Sequence, residues 1–316
     1  MENRVLNVVI PCRDRTYMTQ KTIESIHKYS TVFNKINIYC SDNLSDLTPE
    51  RLSHFQRMLK EGLITYYSYD TSESLTNCFG KVIGFQRWIN MMIQRSFIRD
   101  HVRRTPMTIK DATGKHIQIP SPEEEVPYYM LVDNDMLFGP GWDQYFVCAA
   151  DSAKECVHFV VKFPGGCPGS DKRFLEKQKV GNIFSPEKET FEVAYDFIGG
   201  ASGMWFMNRR MLQKHVWNEK DIASVYGRFK KHDIMSWSVI NRKNHGARIN
   251  YVLRIMPIKD KTLLIHLGGL VGSMCNSLAK HTFDVDKQQF QLRDEDVKNM
   301  TIEELFDKYK LMGQSW

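Results

Sequence analysis

Paired cysteine motifs are missing from this chain. Its seven cysteines, Cys12, Cys40, Cys78, Cys148, Cys156, Cys167 and Cys275, are odd in number and nowhere form Cys-x-x-Cys. That spacing argues against a thiolate zinc site and against a disulfide framework, so a reducing compartment and a cytoplasmic location are expected. No run approaches the ~18 consecutive apolar residues of a membrane span, and the apolar core between Met1 and Pro11 is too short for a signal peptide. No integral membrane association is therefore expected, and the sequons Asn43-Leu44-Ser45 and Asn299-Met300-Thr301 are taken as chance matches. Repeats and low-complexity stretches are lacking too. Charge is only mildly one-sided: net +6 with a pI near 8.8 suits anionic ligands but falls short of a nucleic-acid packaging protein.

What is present is enough apolar material, 42% of 316 residues, for a large core and one or two domains. Val5 to Ile10 is a nearly continuous apolar run closed by Pro11, the pattern of a buried parallel strand. A helix follows, with Thr16 or Thr19 as cap and Ile23, Ile26 and Tyr29 on one face. Ile36 to Cys40 is a second strand. Thr48-Pro49-Glu50 then opens a helix whose stripe is Leu52, Phe55, Met58 and Leu59 and whose stop is Gly62. Leu63 to Tyr69 predicts a third strand and Phe79 to Ile93 a third helix. Three strand–helix alternations imply a parallel sheet with helices on its faces, where ligands sit at the carboxyl ends of the strands. Residues 95–127, charged and proline-containing, are expected to be a partly mobile insertion bordering an acceptor site.

The apolar segment from Tyr128 ends in Asp133-Asn134-Asp135, and Phe138-Gly139-Pro140-Gly141-Trp142 turns the chain away. Two carboxylates at i and i+2 share a face at a strand end and could bind one divalent cation or a ribose hydroxyl; two solvated acids in a turn are the bland alternative. Hard oxygen ligands suit Mg²⁺ or Mn²⁺. Further on, strands are expected at His158 to Phe163, Met204 to Met207, Ile249 to Ile255 and Thr262 to Leu267, with a loop from Ser170 to Glu189 and a helix at Met235 to Ile240. Asp294 to Leu311 predicts an amphipathic helix with Thr301 and Glu304 as a capping box. The basic clusters Arg95/Arg99/Arg103/Arg104, Lys172/Arg173/Lys177/Lys179 and Arg228/Lys230/Lys231/His232 are solvated faces or polyanion contacts.

Taken in order, Val8-Val9-Ile10-Pro11, Ser41-Asp42-Asn43-Leu44-Ser45-Asp46, Val132-Asp133-Asn134-Asp135, Gly139-Pro140-Gly141-Trp142, Gly199-Gly200-Ala201-Ser202-Gly203-Met204 and His232-Asp233 make the chain resemble a GT-A fold glycosyltransferase, most closely the family 2 type. The resemblance covers about residues 5 to 270. It implies an α/β, Rossmann-like three-layer αβα sandwich with a mostly parallel central sheet and a C-terminal acceptor-side extension. Within one compact GT-A domain, residues 1–145 would be the nucleotide-sugar donor half and 146–316 the acceptor-binding and catalytic half with its C-terminal helix. The implied activity is hexosyl or pentosyl transfer from a nucleotide diphosphate sugar, with UDP-sugar favoured, to an acceptor hydroxyl. Implied donor contacts are Pro11, Arg13, Asp42, Asn43, Lys81, Asp133 and Asn134, and implied ligands of Mn²⁺ or Mg²⁺ are Asp133, Asp135 and His266. Gly200 and Trp205 would border the acceptor.

Inversion needs a general base, and the family's Glu-Asp motif is matched only in its second residue, Asp233. His232 replaces the first acid; beside Lys230 and Lys231 it would lower the pKa of Asp233, which could instead be a first-turn helix acid. Failure of Asp233 as base would favour a retaining course. The acceptor stays open among glycan, protein, metabolite and a hydroxylated base in DNA. Two other classes compete. A nucleotidyltransferase should carry a glycine-rich basic loop after strand one, and Cys12-Arg13-Asp14-Arg15 has no glycine. A non-catalytic nucleotide or carbohydrate binder would leave Asp135 or Asp233 idle.

Overall fold

The computed structural model describes residues 3–12, 15–43, 48–70, 107–110, 116–119, 125–152, 157–161, 179–184, 190–197, 204–208, 251–255, 258, 261–267 and 294–313. In chain order these form β1 (Asn3–Cys12), α1 (Thr16–Tyr29), β2 (Lys35–Asn43), α2 (Pro49–Lys60), β3 (Tyr66–Asp70), β4 (Met107–Lys110), β5 (His116–Ile119), β6 (Glu125–Val132), β7 (Met136–Phe138) and α3 (Trp142–Ser152). There follow β8 (Val157–Val161), β9 (Lys179–Phe184), β10 (Thr190–Phe197), β11 (Met204–Asn208), β12 (Tyr251–Ile255), β13 (Leu264–His266), α4 (Asp294–Lys298) and α5 (Ile302–Gly313).

The central sheet has the order β11-β6-β1-β2-β3, parallel throughout except for β11, which runs antiparallel to β6. This is the expected mixed α/β fold with a mostly parallel sheet. Its middle strand, β1, buries Val5, Leu6, Val8 and Ile10 because helices or further strands cover both faces. A second sheet, β8-β12-β10-β9, is mixed, with β8 and β12 parallel and the rest antiparallel. β7 and β13 form a short antiparallel pair, as do β4 and β5. One large apolar core runs through β1, β2, β6, α1, α2 and α3; a smaller one joins Met18, Leu137, Ile265 and Leu267 to Val297, Ile302, Leu305 and Phe306 of the C-terminal helices.

Several local expectations need adjustment. Helix α1 starts at Thr16, but neither Thr16 nor Thr19 caps it: Arg15 occupies the cap position in a left-handed conformation and makes no side-chain cap bond. In α2, Thr48 caps as expected, accepting from the Arg51 amide at 3.2 Å, while Leu59 is exposed rather than in the stripe. Strand β3 begins at Tyr66, not Leu63, because the Leu63 and Ile64 amides both bond to the Met58 carbonyl in the last turn of α2. The segment 95–127 contains the antiparallel β4/β5 pair, and β6 already begins at Glu125. The single C-terminal helix is two, α4 and α5, the second opened by the expected capping box: the Glu304 amide donates to Thr301 Oγ1 at 3.1 Å and the Thr301 amide to Glu304 Oε2 at 2.7 Å. The helices expected at Phe79 to Ile93 and Met235 to Ile240 lie outside the described residues.

Candidate functional site

Helix α1 carries a polar row that its apolar periodicity hides. Thr19, Thr22 and Ser25 are fully buried and spaced three apart, so they lie on one side of the helix. Each hydroxyl donates to a carbonyl of the same helix stretch, Arg15, Met18 and Thr22 respectively. Each then accepts from the segment after β6: Asn134 Nδ2 on Thr19, the Met136 amide on Thr22 and the Phe138 amide on Ser25, all at 3.1 Å. On its other edge β7 pairs with β13, and the Leu267 amide donates to the Asp135 carbonyl at 2.7 Å. Thus Asp133-Asn134-Asp135 is held in register from both sides. These bonds span over 110 residues of sequence, which is why no local pattern displays them.

Asp133 and Asp135 follow the carboxyl end of β6, one and three residues past the Val132 that closes it. Parallel register sets this level with the end of β1, since Val9 pairs with Leu131, and Cys12 in turn pairs with Asp42. Asp135 is 1% exposed and its Oδ2 forms an ion pair with Arg15 Nη1; Arg15 is 24% exposed. Burial, and then the neighbouring Asp135 charge, pushes the Asp133 carboxyl well above its ordinary range, with Arg15 opposing. Two interacting like charges are relieved by a cation, and among the described residues Arg15 offers its positive charge to both acids. The donor set, carboxylate oxygens without thiolates, fits a hard divalent ion. Among the described residues no group of three or more His, Cys, Asp or Glu side chains converges as a self-sufficient metal cage.

Asp42 ends up fully buried. Its Oδ2 accepts from Arg51 Nε at 2.9 Å, Arg51 Nη2 at 2.6 Å and Tyr67 Oη at 2.8 Å, tying the end of β2 to α2 and β3. Burial, followed by the Asp42 charge, raises the Tyr67 phenol, so it stays a donor. Burial alone would disfavour the Arg51 cation, but Asp42 overrides it and raises its pKa. Arg51 also lies over the Phe55 ring and bonds Thr16 Oγ1. The acid is therefore part of a buried ion pair at the strand end, not an open solvated turn.

No family model matches the chain, and no curated protein matches it in sequence. Solved structures do. The chain is similar to TarS of S. aureus, at 10% identity and a TM-score of 0.45 over 84% of this chain and 36% of that one. It is similar to the mannosyltransferase PcManGT from Pyrobaculum calidifontis, solved with GDP-Man and Mn²⁺, at 12% identity and a TM-score of 0.42 over 84% and 57% of the two chains. GalNAc-T7, solved with UDP, GalNAc and Mn²⁺, matches at 12% identity and a TM-score of 0.38 over 79% and 42%. The chain thus spans about a third to three fifths of the length of these relatives.

Of the residues singled out in the sequence, the fold brings together the ends of β1, β2 and β6, carrying Pro11, Asp42, Asn43, Asp133, Asn134 and Asp135. The backbone of His266 joins them, paired with Met136 directly after Asp135. Trp205 sits on β11 opposite Leu131, two residues back from Asp133. Arg13, Lys81, Gly200 and Asp233 lie outside the described residues, as do the basic clusters except Lys179, the first residue of β9.

Sequence reasoning passed over Arg15, although it stands in the same basic tetrapeptide as Arg13. It also passed over Asp294. The Asp294 carboxylate accepts from the Tyr17 amide at 3.1 Å and the Met18 amide at 2.8 Å, capping α1 from 277 residues away. Burial raises the Asp294 carboxyl above its usual range despite those two donors. The α1 N-terminus is consequently filled by the chain's own carboxylate and does not serve as a phosphate cradle of the dinucleotide-binding kind. Asp294→Ala should lower stability by about 1–2 kcal/mol, the usual worth of a cap. Urea unfolding measures this, and an unchanged midpoint would dismiss the capping role.

Proposed function

We propose that the chain is a glycosyltransferase of the GT-A kind that moves a sugar from a nucleotide diphosphate sugar, with UDP-sugar favoured, to an acceptor hydroxyl. The observation that supports this reading is that Asp133 and Asp135, just past the end of a central parallel strand, lie at the same sheet edge as Asp42 at the end of β2, with β1 between them, and beside the backbone of His266, positions 91 to 224 residues apart in sequence. A crevice at strand carboxyl ends is where open α/β sheets receive ligands. Residues 1–145 form the donor half in this reading and 146–316 the acceptor half.

Asp42, its rotamer fixed by Arg51 and Tyr67, and Asn43 receive the nucleoside, with Pro11, Arg13 and Lys81 beside it. Asp133 takes the ribose or a metal-bound water, and Asn134, held on Thr19, keeps the turn in register. Asp135 and His266 hold Mn²⁺ or Mg²⁺, with Asp133 assisting. An ion held there would supply positive charge to the diphosphate as the nucleoside diphosphate leaves. Asp233 accepts the proton of the acceptor hydroxyl while that oxygen forms a bond to the anomeric carbon and the bond to phosphate breaks, an inverting course. Gly200 and Trp205 shape the acceptor side. Acceptor candidates are a glycan, a protein, a metabolite or a hydroxylated DNA base. Among the described residues no helix is long and apolar enough to cross a membrane.

The test is a thermal-shift screen of UDP-, GDP-, CDP- and TDP-sugars with Mn²⁺. At a ligand concentration 100 times Kd the matching donor should raise Tm by about 5 °C or more. Asp135→Ala should abolish that shift. Absence of any shift with all four nucleotides sinks the donor-site reading. A shift in the unaltered chain with donor hydrolysis retained in Asp233→Asn would instead remove Asp233 as the base.

A further inference from the structure

Among the described residues Arg15 is the only non-glycine with a positive φ, 50° with ψ 52°. A left-handed backbone is unfavourable for a side chain with a Cβ, and residues held so cluster at functional sites. The position is also a helix N-cap, where Ser, Thr, Asp or Asn would bond an orphan amide. Arg15 does not: it makes no cap bond, and Asp294 takes over that task. The strained backbone therefore serves the guanidinium, which reaches Asp135 across 120 residues of sequence. The two partners are unequally placed. Asp135 is 1% exposed and Arg15 24%, so the guanidinium lies on the solvent side of the carboxylate.

We propose that Arg15 is the internal counter-ion of Asp135 that a divalent cation displaces, its freed guanidinium then pairing with the diphosphate of the nucleotide. This rests on the donor-site reading above. Without a ligand, a buried carboxylate left bare is costly, and Arg15 prevents that. On loading, the cation supplies more positive charge to Asp135, and a planar guanidinium matches phosphate oxygens as well as it matches a carboxylate. Cation and nucleotide then help one another. Each is bound more tightly when the other is present, because the nucleotide provides the anion that receives Arg15, and such coupling is reciprocal.

The experiment titrates Mn²⁺ alone, and Mn²⁺ with UDP, into the full chain and into Arg15→Gly, Arg15→Lys and Asp135→Asn, following free Mn²⁺ by paramagnetic resonance. Glycine accepts the left-handed backbone, so Arg15→Gly removes the guanidinium without a new strain. Mn²⁺ alone is expected to bind Arg15→Gly at least about tenfold more tightly than the unaltered chain, since no buried ion pair has to be broken first. Arg15→Lys keeps the charge and should stay within about threefold of the unaltered chain. The factor by which UDP improves Mn²⁺ binding should shrink in Arg15→Gly, and Asp135→Asn should bind no Mn²⁺. Equal or weaker Mn²⁺ binding by Arg15→Gly overturns the exchange, and the donor-site reading survives if the unaltered chain still binds UDP with Mn²⁺. Failure of every protein to bind Mn²⁺, with UDP present, overturns both.

Discussion

Arg51→Ala is expected to remove about 3–5 kcal/mol of folding stability, as when one partner of a buried ion pair is deleted. Arg51 is 5% exposed and Asp42 fully buried, so solvent cannot compensate the carboxylate left behind. This guanidinium gives two bonds to Asp42 Oδ2, and Tyr67 gives another. The same truncation takes away the contact over Phe55 and the bond to Thr16 at the start of α1. Net stabilities of natural domains are about 5–15 kcal/mol, so the variant should be close to unfolding at modest temperature. Arg51→Met combined with Asp42→Asn should recover much of the loss, because removing both charges leaves no orphan. Denaturant midpoints of the single and double variants decide it. A single-variant loss below about 1 kcal/mol would mean that the pair is solvent-screened like a surface bridge.

Gly139→Ala should be nearly as damaging, by about 3 kcal/mol or more, at the upper end of what overpacking costs. A Cβ at residue 139 would stand 1.9 Å from the Thr262 carbonyl oxygen and 3.0 Å from its carbon, both backbone atoms that cannot rotate away. Phe306 closes the remaining space at 3.4 Å. The Gly139 amide meanwhile donates to the Leu263 carbonyl at 2.9 Å, so the approach is one hydrogen bond long and admits nothing larger than hydrogen. Relief requires β13 to move away from β7, and with it the backbone of His266 that lies beside Asp135. A fall in Tm accompanied by loss of the Mn²⁺-dependent UDP shift is the expected pair of results. Gly141→Ala is a useful contrast. Its Cβ would meet nothing within 4 Å, and only its φ of 67° opposes the change, so its cost should be smaller.

Much of residues 1–145 was legible because its signals are short-range. A continuous apolar run bounded by proline marks β1, and Thr48-Pro49 with Gly62 brackets α2. Asp133 and Asp135 were legible as acids just after an apolar strand, but both lie past the end of β6, with Asp135 in a turn, so the period of a strand does not set their common face. Helix α3 was missed for a physical reason: Trp142, Tyr145, Phe146, Val147, Ala149 and Ala150 are all buried, so no polar face produces a 3.6-residue rhythm. Strands β9 and β10 fell in or beside a stretch taken for a loop, because Lys179, Asn182 and Glu192 dilute the apolar alternation of Phe191 and Val193. Arg15 carried no pattern beyond being a second arginine in a short basic loop.

The alternation of strands and helices, hence a parallel sheet, and the two acids just past a strand's end are written in local pattern, because periodicity and capping act within a few residues. What surrounds those acids follows from long-range packing. Arg15 against Asp135, Arg51 against Asp42, Asp294 on α1 and the hydroxyl row under β7 join groups 9 to 277 residues apart. Such pairings are selected by burial, where an unmatched charge or amide is costly, and burial is a property of the packed chain rather than of any segment of it.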